Sequence, residues 1–265
     1  MSDKPIIDIS KFNTVRNWSA VKNNVNGVII RLGFTGYGSG ILSLDPKFID
    51  NIKNAKSNNI PYGIYYFPAS INEIEAAKEA QFILNQISVY GLNDMSFPIF
   101  LDSEIAEAKN KSGRADKLDR TTRTRLLMRI CEILHNAGYN CGVYASKSWF
   151  ISNLDDNQIY TYVYKWVAQY NTTCTYQGIY HLWQYCSDGV ITGIEGRVDC
   201  SRLVRELPAG LISEVVNHEP EPIPETPTPD PEPVKEARRA ETMNIDVYDQ
   251  YGERMTGWTL KYNCY

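Results

Sequence analysis

The stretch FPIFLDSE, residues 97–104, sets the pattern from which the fold can be read. A short apolar run ends on two carboxylates, Asp102 and Glu104, that are separated by one residue. Side chains at positions i and i+2 of a strand point to the same face. A buried strand in this register would present both carboxylates together at its carboxyl end. The stretch therefore predicts a buried strand with two functional carboxylates at its carboxyl end.

Seven further strand-like runs lie between residues 5 and 205. They are PIIDIS at 5–10, GVIIRLGF at 27–34, YGIYYFPAS at 62–70, CGVYAS at 141–146, YKWVAQY at 164–170, IYHLWQY at 179–185 and RVDCS at 197–201. Helical spacing separates the early runs, at Ile74, Ala77, Leu84 and Ile87 and again at Leu126, Ile130, Ile133, Leu134 and Ala137. We expect the second of these helices to stop at Gly138.

Strands that alternate with helices indicate a mostly parallel sheet whose faces are covered. Eight strands within about 200 residues favour a barrel over an open sheet. The gaps between the last three runs are too short for crossover helices. We therefore expect an α/β fold, a (β/α)5(β)3 barrel in which five βα units precede three helix-poor strands.

Charge and composition narrow the classes of function. The chain has 265 residues, of which 43% are hydrophobic and 22% charged, and a net charge of −4. Five acids and seven prolines fall within residues 219–234, and with those acids set aside the net charge becomes +1. A near-neutral body without a Lys/Arg cluster argues against binding to nucleic acid or to an anionic membrane.

The same features predict how the chain is divided and where it is made. We expect a catalytic barrel at 1–210, an extended Pro-rich acidic linker at 211–235 and a short hairpin tail at 236–265. The N-terminus MSDKPIIDIS shows no secretory signal pattern, so we expect synthesis in the cytoplasm. Six scattered cysteines without a C-x-x-C pair are expected to be reduced thiols: Cys131, Cys141, Cys174, Cys186, Cys200 and Cys264.

Four acids fall on predicted strands where a barrel gathers its functional groups, at the carboxyl ends. They are Asp8, Asp102, Glu104 and Asp199. Crowding raises the pKa of at least one carboxyl, because neighbouring negative charges disfavour ionisation. A carboxyl group that stays protonated near neutral pH can protonate the leaving oxygen of a glycosidic bond. The pattern therefore favours a glycosidase.

The sequence allows two other interpretations of these acids. An isolated D-x-E is usually a solvated pair or a helix start. A cluster of oxygen ligands also suits Mg²⁺ or Ca²⁺, but aromatic residues flank these acids. The three histidines, His135, His181 and His218, have no zinc-ligand spacing. We expect no metal and no cofactor.

Aromatic residues are the second signal, because their faces stack on sugar rings. Tyr65, Tyr66, Tyr144, Trp166, Tyr170, Trp183 and Tyr185 lie in or just after predicted strands. Strand alternation implies that some of them point outward and belong to the core. Arg31 is an unusual charge for a strand, and either pairs with a barrel carboxylate or reaches solvent.

Five motifs together resemble the family 25 glycoside hydrolases, the Chalaropsis-type lysozymes (N-acetylmuramidases) of bacteria and phages. They are DIS at Asp8, GIYYF, LDSE, KWVAQY and WQYCSDGVITGIEGRVDCS at 183–201, and they span about residues 5–205. The resemblance implies a flattened TIM-like barrel of the kind expected above. It also implies cleavage of the β-1,4 bond between N-acetylmuramic acid and N-acetylglucosamine in peptidoglycan, with retention at the anomeric carbon.

The resemblance also implies roles for single residues. Glu104 would be the acid/base, Asp102 would hold the substrate's N-acetyl group, and Asp8 and Asp199 would line the floor. Substrate contacts would come from Tyr65, Tyr144, Trp166 and Gln184. The polar insert at 106–120 is expected to form a loop near the cleft. A non-catalytic peptidoglycan-binding module and a glucosaminidase on the same barrel remain the alternatives.

The tail has a resemblance of its own. YDQYGERMTGW at 248–258 is similar to the turn of choline-binding-type cell-wall repeats, and it predicts a hairpin in which 245–248 pairs with 255–262. A chance Gly/aromatic hairpin is the other interpretation. With about one copy present, wall binding and self-association into a homo-oligomer are both open. The whole is typical of a phage or prophage endolysin, made in the host cytoplasm and acting outside it on the wall.

Overall fold

The computed structural model describes residues 4–106 and 112–212, together with two short strands at 247–248 and 254–255. The chain divides into two compact units, Met1–Val216 and Asn217–Tyr265. No helix among the described residues is long and apolar enough to cross a membrane.

The first unit alternates strands and helices over most of its length. Its strands are β1 Ile6–Ile9, β2 Thr14–Val15, β3 Gly27–Thr35, β4 Leu42–Leu44, β5 Tyr62–Phe67, β6 Ile99–Asp102, β7 Cys141–Ser146, β8 Tyr164–Ala168, β9 Leu182–Gly189, β10 Ile194–Glu195 and β11 Val198–Leu203. Its helices are α1 Trp18–Lys22, α2 Phe48–Ser57, α3 Glu73–Tyr90, α4 Arg120–Asn136 and α5 Lys147–Asn153, with a 3-10 turn at Asp156–Gln158.

Eight of these strands close into a barrel. The order is β1, β11, β9, β8, β7, β6, β5 and β3, and a parallel pairing between β1 and β3 completes the circle. An α-helix follows each of β1, β3, β5, β6 and β7, whereas none follows β8 or β9. The predicted (β/α)5(β)3 barrel is confirmed.

One strand runs against the rest. β11 pairs antiparallel with both β9 and β1, while every other neighbouring pair in the circle is parallel. The connection from β9 to β11 is a short hairpin, and a parallel return would need a crossover of a dozen residues or more. Asp199 therefore reaches the mouth of the barrel from the start of its strand, whereas the sequence pattern placed it at a carboxyl end.

Strand alternation divides the core into two layers. Ile6, Ile29, Phe100 and Leu182 form a cluster with Trp166, and each of the four precedes a polar residue by two positions. Those polar residues are Asp8, Arg31, Asp102 and Gln184. The interior of the barrel is thus apolar below and polar at its upper rim. The alternate positions, such as Ile7, Val28 and Leu101, belong to the larger core beneath the helices.

Both helices predicted from the spacing of apolar residues are present, but the buried face of α3 differs from the predicted one. α4 is capped by the Asp119 side chain, which accepts a hydrogen bond from the Thr122 amide, and Gly138 follows its end with φ of 88°. In α3 the buried face runs through Ala76, Ala80, Ile83 and Ile87. Ile74 is 71% exposed, so it lies outside the core that the spacing assigned to it.

In the second unit, the strands Val247–Tyr248 and Arg254–Met255 pair antiparallel, with Val247 opposite Met255. The remaining residues of the predicted hairpin, and the Pro-rich linker, lie outside the described residues. Leu211 still pairs with Tyr139, and the Ile212 amide donates to the Gly138 carbonyl. The division into barrel, linker and tail stays a prediction.

That division can be tested by truncation. Because the barrel closes on itself and has its own core, deleting residues 219–265 should leave a folded protein whose thermal midpoint lies within about 2–4 °C of the full chain. Calorimetry and circular dichroism measure this. A truncated chain that aggregates, or that loses its cooperative transition, would show that the barrel depends on the tail.

Candidate active site

A cavity of about 300 Å³ opens at the rim of the barrel where the strands present their polar residues. The structure brings all eight residues named from the sequence to this cavity: Asp8, Asp102, Glu104, Asp199, Tyr65, Tyr144, Trp166 and Gln184. They come from seven different strands and, in the case of Glu104, from the loop after β6. Asp102 and Glu104 are two residues apart in the sequence, and barrel closure makes the others their neighbours.

Asp8 and Asp199 are held opposite each other by the ladder between β1 and β11. Asp8 is 7% exposed, and Asp199 is half-buried. Burial raises the pKa of Asp8 well above its ordinary value, and the charge of Asp199 raises it further. A hydrogen bond from the Gln184 side chain to Asp8, of 2.8 Å, acts in the opposite direction.

Asp102 ends β6 and is 8% exposed. Its Oδ1 atom is buried and has no hydrogen-bond partner. Burial raises the pKa of Asp102 well above its ordinary value, and the negative charges of Glu104 and Asp8 add to the effect. The oxygen without a partner therefore belongs to a residue that lines the cavity, and leaving it without a donor has a free-energy cost.

Glu104 lies two residues beyond the end of β6, and its side chain is exposed at the mouth. Partial removal from water inside the cleft raises the pKa of Glu104, and the nearby Asp199 carboxylate raises it further. A carboxyl group that keeps its proton to higher pH and faces an open cavity can act as a general acid.

Gln184 links the acids to the aromatic residues. It is 2% exposed, and its Oε1 atom accepts hydrogen bonds from the hydroxyls of Tyr144 at 2.9 Å and Tyr170 at 3.0 Å. Its amide nitrogen donates to Asp8. Trp166 lies beneath, 2% exposed, with its indole nitrogen 3.0 Å from Ser201 Oγ and its ring edge-on to Tyr144. Trp166 therefore contributes floor rather than an open stacking face.

Arg31 is the cation of the cavity wall. Its Nε and Nη2 atoms lie 2.7 and 2.6 Å from one carboxylate oxygen of Asp45, which is 2% exposed. The rings of Phe12 and Phe34 lie 5.2 and 5.7 Å from the guanidinium carbon. The positive charge of Arg31 lowers the pKa of Asp102, in opposition to burial. Its partner, Asp45, is not one of the four clustered acids.

Other aromatic residues also line the cavity. Tyr170 is one of those that the sequence offered for sugar stacking, whereas Tyr37 and Phe12 were not named from the sequence. Tyr37 and Phe12 come from loops after strands, and Tyr170 follows β8. A second groove of about 470 Å³ shares Glu104, Tyr144 and Tyr170 with the first cavity. The cleft therefore continues past Glu104. Loop residues of this kind carry no alternation signal, and only the closed barrel shows which of them reach the cleft.

Three aromatic residues named with the others do not line the cavity. Tyr66 is fully buried and packs against Phe82 of α3. Trp183 and Tyr185 both lie against Arg202. Alternation along β5 and β9 sends these side chains outward, as the core interpretation expected.

Across residues 4–106 and 112–212, no group of three or more His, Cys, Asp or Glu side chains is arranged to hold a metal ion.

The barrel and its desolvated carboxylates define an acid–base site on a β/α scaffold. The family model described as glycosyl hydrolases family 25 matches residues 7–194, so the chain belongs to this family. Comparison with curated proteins by sequence gives no match.

Solved structures share the fold. The modular autolysin LytC from Streptococcus pneumoniae is 35% identical with a TM-score of 0.66, and the match covers 75% of this chain and 46% of that one. The chain therefore spans less than half of that relative's length. The catalytic domain of endolysin ply40 from bacteriophage P40 of Listeria monocytogenes is 24% identical with a TM-score of 0.59, over 76% of this chain and 94% of that one.

The raised pKa of Asp102 makes a prediction about stability. The folded protein holds this proton to a higher pH than the unfolded chain, so stability is lost as the pH rises from about 4 through the folded-state pKa. Asp102→Asn should therefore raise the thermal midpoint at pH 7, by about 2–4 °C for each kcal/mol of repulsion removed, and change it little near pH 4. Calorimetry between pH 4 and 8 measures the difference.

The matched control is Asp188→Asn, which removes a carboxylate that is 63% exposed on the surface. This variant should leave the midpoint unchanged at both pH values. An Asp102→Asn protein that is less stable than the parent at pH 7 would contradict the electrostatic account of the cluster.

Proposed function

We propose that this protein is a peptidoglycan hydrolase that cleaves the β-1,4 bond between N-acetylmuramic acid and N-acetylglucosamine, with retention at the anomeric carbon. The observation that carries the proposal is the carboxylate cluster: Glu104, exposed and with a raised pKa, beside Asp102, whose buried oxygen has no partner. Membership of family 25 supports it. One similar structure is a modular autolysin in complex with a synthetic peptidoglycan ligand.

The chemistry follows from the two carboxyl groups. Glu104 donates its proton to the glycosidic oxygen as the bond from that oxygen to the anomeric carbon breaks. The carbonyl oxygen of the substrate's own 2-acetamido group attacks the same carbon and forms a cyclic intermediate, a recognised departure from the two-carboxylate scheme. Asp102 accepts the acetamido N–H and stabilises the developing positive charge. Water, deprotonated by Glu104, then opens the intermediate with net retention.

The remaining residues of the cavity have supporting roles. Asp8 and Asp199 raise the pKa of their neighbours and line the floor around the sugar. Tyr65, Tyr144 and Gln184 present hydroxyl and amide groups to the substrate. Because the second groove continues past Glu104, the cleft suits a polymer that extends to both sides of the scissile bond.

The organisation of the chain supports a role on the bacterial wall. We propose that the enzyme is an endolysin of a phage or prophage, made in the host cytoplasm and acting on peptidoglycan outside the membrane. The Pro-rich linker would space the barrel from the tail, which either binds wall ligand or pairs with a second copy. Deletion of 219–265 should then leave turnover of small soluble glycans intact and reduce wall affinity or oligomeric mass.

Analysis of products is the decisive test of the reaction. Purified peptidoglycan digested with the protein should release fragments with muramic acid at the new reducing end, as read by reduction and mass spectrometry. Glucosamine at that end would assign a glucosaminidase instead. Glycan chains that stay intact while retaining the protein would make it a binding module.

Glu104→Gln tests the acid/base. Loss of general acid–base catalysis should lower kcat by about 10²- to 10⁴-fold, because the amide cannot donate a proton to the leaving oxygen. The thermal midpoint should stay within a few degrees of the parent. Glu132→Gln, on the surface of α4, is the matched control and should keep full activity. Wild-type clearing of walls by the Glu104→Gln protein would remove Glu104 from the mechanism.

A further inference from the structure

Glu104 has to be held in place by something other than its own side chain. It lies beyond the last ladder residue of β6, Asp102. Among the described residues, no hydrogen bond or ion pair to its carboxylate occurs. A general acid must stay within hydrogen-bond reach of the atom it protonates. The constraint must therefore come from the residues on either side of it in the chain.

Ser103 fixes the side before Glu104. It is 6% exposed, and its amide donates to the Tyr144 carbonyl at 2.8 Å, which extends the β6–β7 pairing by one residue. Its hydroxyl oxygen accepts a hydrogen bond of 3.0 Å from the indole nitrogen of Trp149, in α5. The side chain that precedes the acid is thus tied to a helix on the neighbouring βα unit.

Trp149 is in turn held by Arg123 of α4. The guanidinium carbon lies 4.8 Å from the centre of the Trp149 ring. Arg123 is 6% exposed, and its Nη2 atom donates to the carbonyls of Asp116 and Leu118, both at 3.0 Å. Within the described part of the chain it forms no ion pair. A buried guanidinium that contacts backbone carbonyls and an aromatic face fixes the positions of these groups relative to one another.

Asp116 fixes the side after Glu104. One carboxylate oxygen accepts from the Ala106 amide at 3.0 Å, and the other accepts from the Gly113 amide at 2.5 Å. A Cβ atom on Gly113 would lie 2.7 Å from the Cβ of Ala106, so the two stretches touch. The chain is therefore held both one residue before and two residues after Glu104.

We propose that Trp149 is a positioning residue for Glu104, and that Trp149, Arg123 and Asp116 form a brace that fixes the acid from the insert and the neighbouring helices. The inference rests on the proposed function, in which Glu104 is the acid/base. It gives residues 112–118 of the insert a role in catalysis without contact with substrate.

The brace has two measurable consequences. A Glu104 that is less constrained would populate the productive position less often, and displacements of about 1 Å can cost up to about 100-fold in rate. It would also spend time in water and farther from Asp199, so its pKa would fall toward the ordinary value for glutamate. The alkaline limb of the pH–rate profile, which reports loss of the Glu104 proton, would then move to lower pH.

Trp149→Phe and Ser103→Ala remove the same hydrogen bond from its two ends. Each should lower kcat by about tenfold with KM within about twofold of the parent, measured by reducing-end release from soluble peptidoglycan fragments. Each should also move the alkaline limb of kcat/KM to lower pH. The double variant should be no slower than the slower single variant, because only one bond is lost. Trp18→Phe, a half-buried indole at the start of α1, is the control and should change neither quantity.

Parental kcat and an unmoved alkaline limb in both single variants would overturn the proposal, as would effects that multiply in the double variant. If Trp149→Phe fails to fold, Ser103→Ala alone decides, since it removes only a hydroxyl. An inactive parent protein would instead overturn the proposed function, so the two failures are distinguishable.

Discussion

The site depends on how the barrel closes. The ladder that joins β1 to β11 sets Asp8 opposite Asp199, and the same circle of strands brings β6 with Asp102 to the rim. Ionised carboxylates do not gather in a buried place without cost, because each loses hydration and repels the others. The apolar layer beneath them, formed with Trp166 and Phe100, supplies the packing that holds the circle closed. The free energy of packing in that layer offsets the cost of placing several carboxylates close together at the rim.

The pairing of Arg31 decides how far the crowding is relieved. An opposite charge at about 4–6 Å lowers a carboxyl pKa by about 1–3, so a guanidinium turned toward Asp102 would lower the pKa of that acid further. The fork of Arg31 is directed instead at Asp45, which also accepts the amides of Lys11 and Lys47. Arg31 therefore offsets part of the negative charge while the pKa of Asp102 stays raised. Asp45, which is not one of the four clustered acids, thus limits how strongly Arg31 lowers the pKa of Asp102.

The sequence was enough to predict the strands but not their directions. Apolar runs and βα spacing identified all eight barrel strands, because strands that are buried on both faces read as nearly continuous hydrophobic runs. The same pattern does not show whether a strand runs parallel or antiparallel to its neighbours. Asp199 was therefore predicted at the carboxyl end of its strand, whereas it lies near the start, although it still lines the cavity. Short strands such as β2, β4 and β10 fall below the length at which a period can be seen. The partners of Arg31 and the contact of Trp149 with Ser103 join residues 14 and 46 positions apart, and no local pattern encodes them.

The position of Glu104 beyond β6 explains why an insert accompanies this acid. A residue inside the ladder is fixed by backbone pairing, as Asp102 is, but it is also buried and directed into the barrel. An acid that must meet a bond in an open cleft has to leave the ladder, and it then loses the hydrogen bonds that would hold it. The contacts of Ser103 and Ala106 restore that constraint from outside, through Trp149 and Asp116. Exposure of the acid and rigidity of its backbone are therefore supplied by different parts of the chain, and residues 112–118 of the insert can be required for the reaction without contact with the substrate.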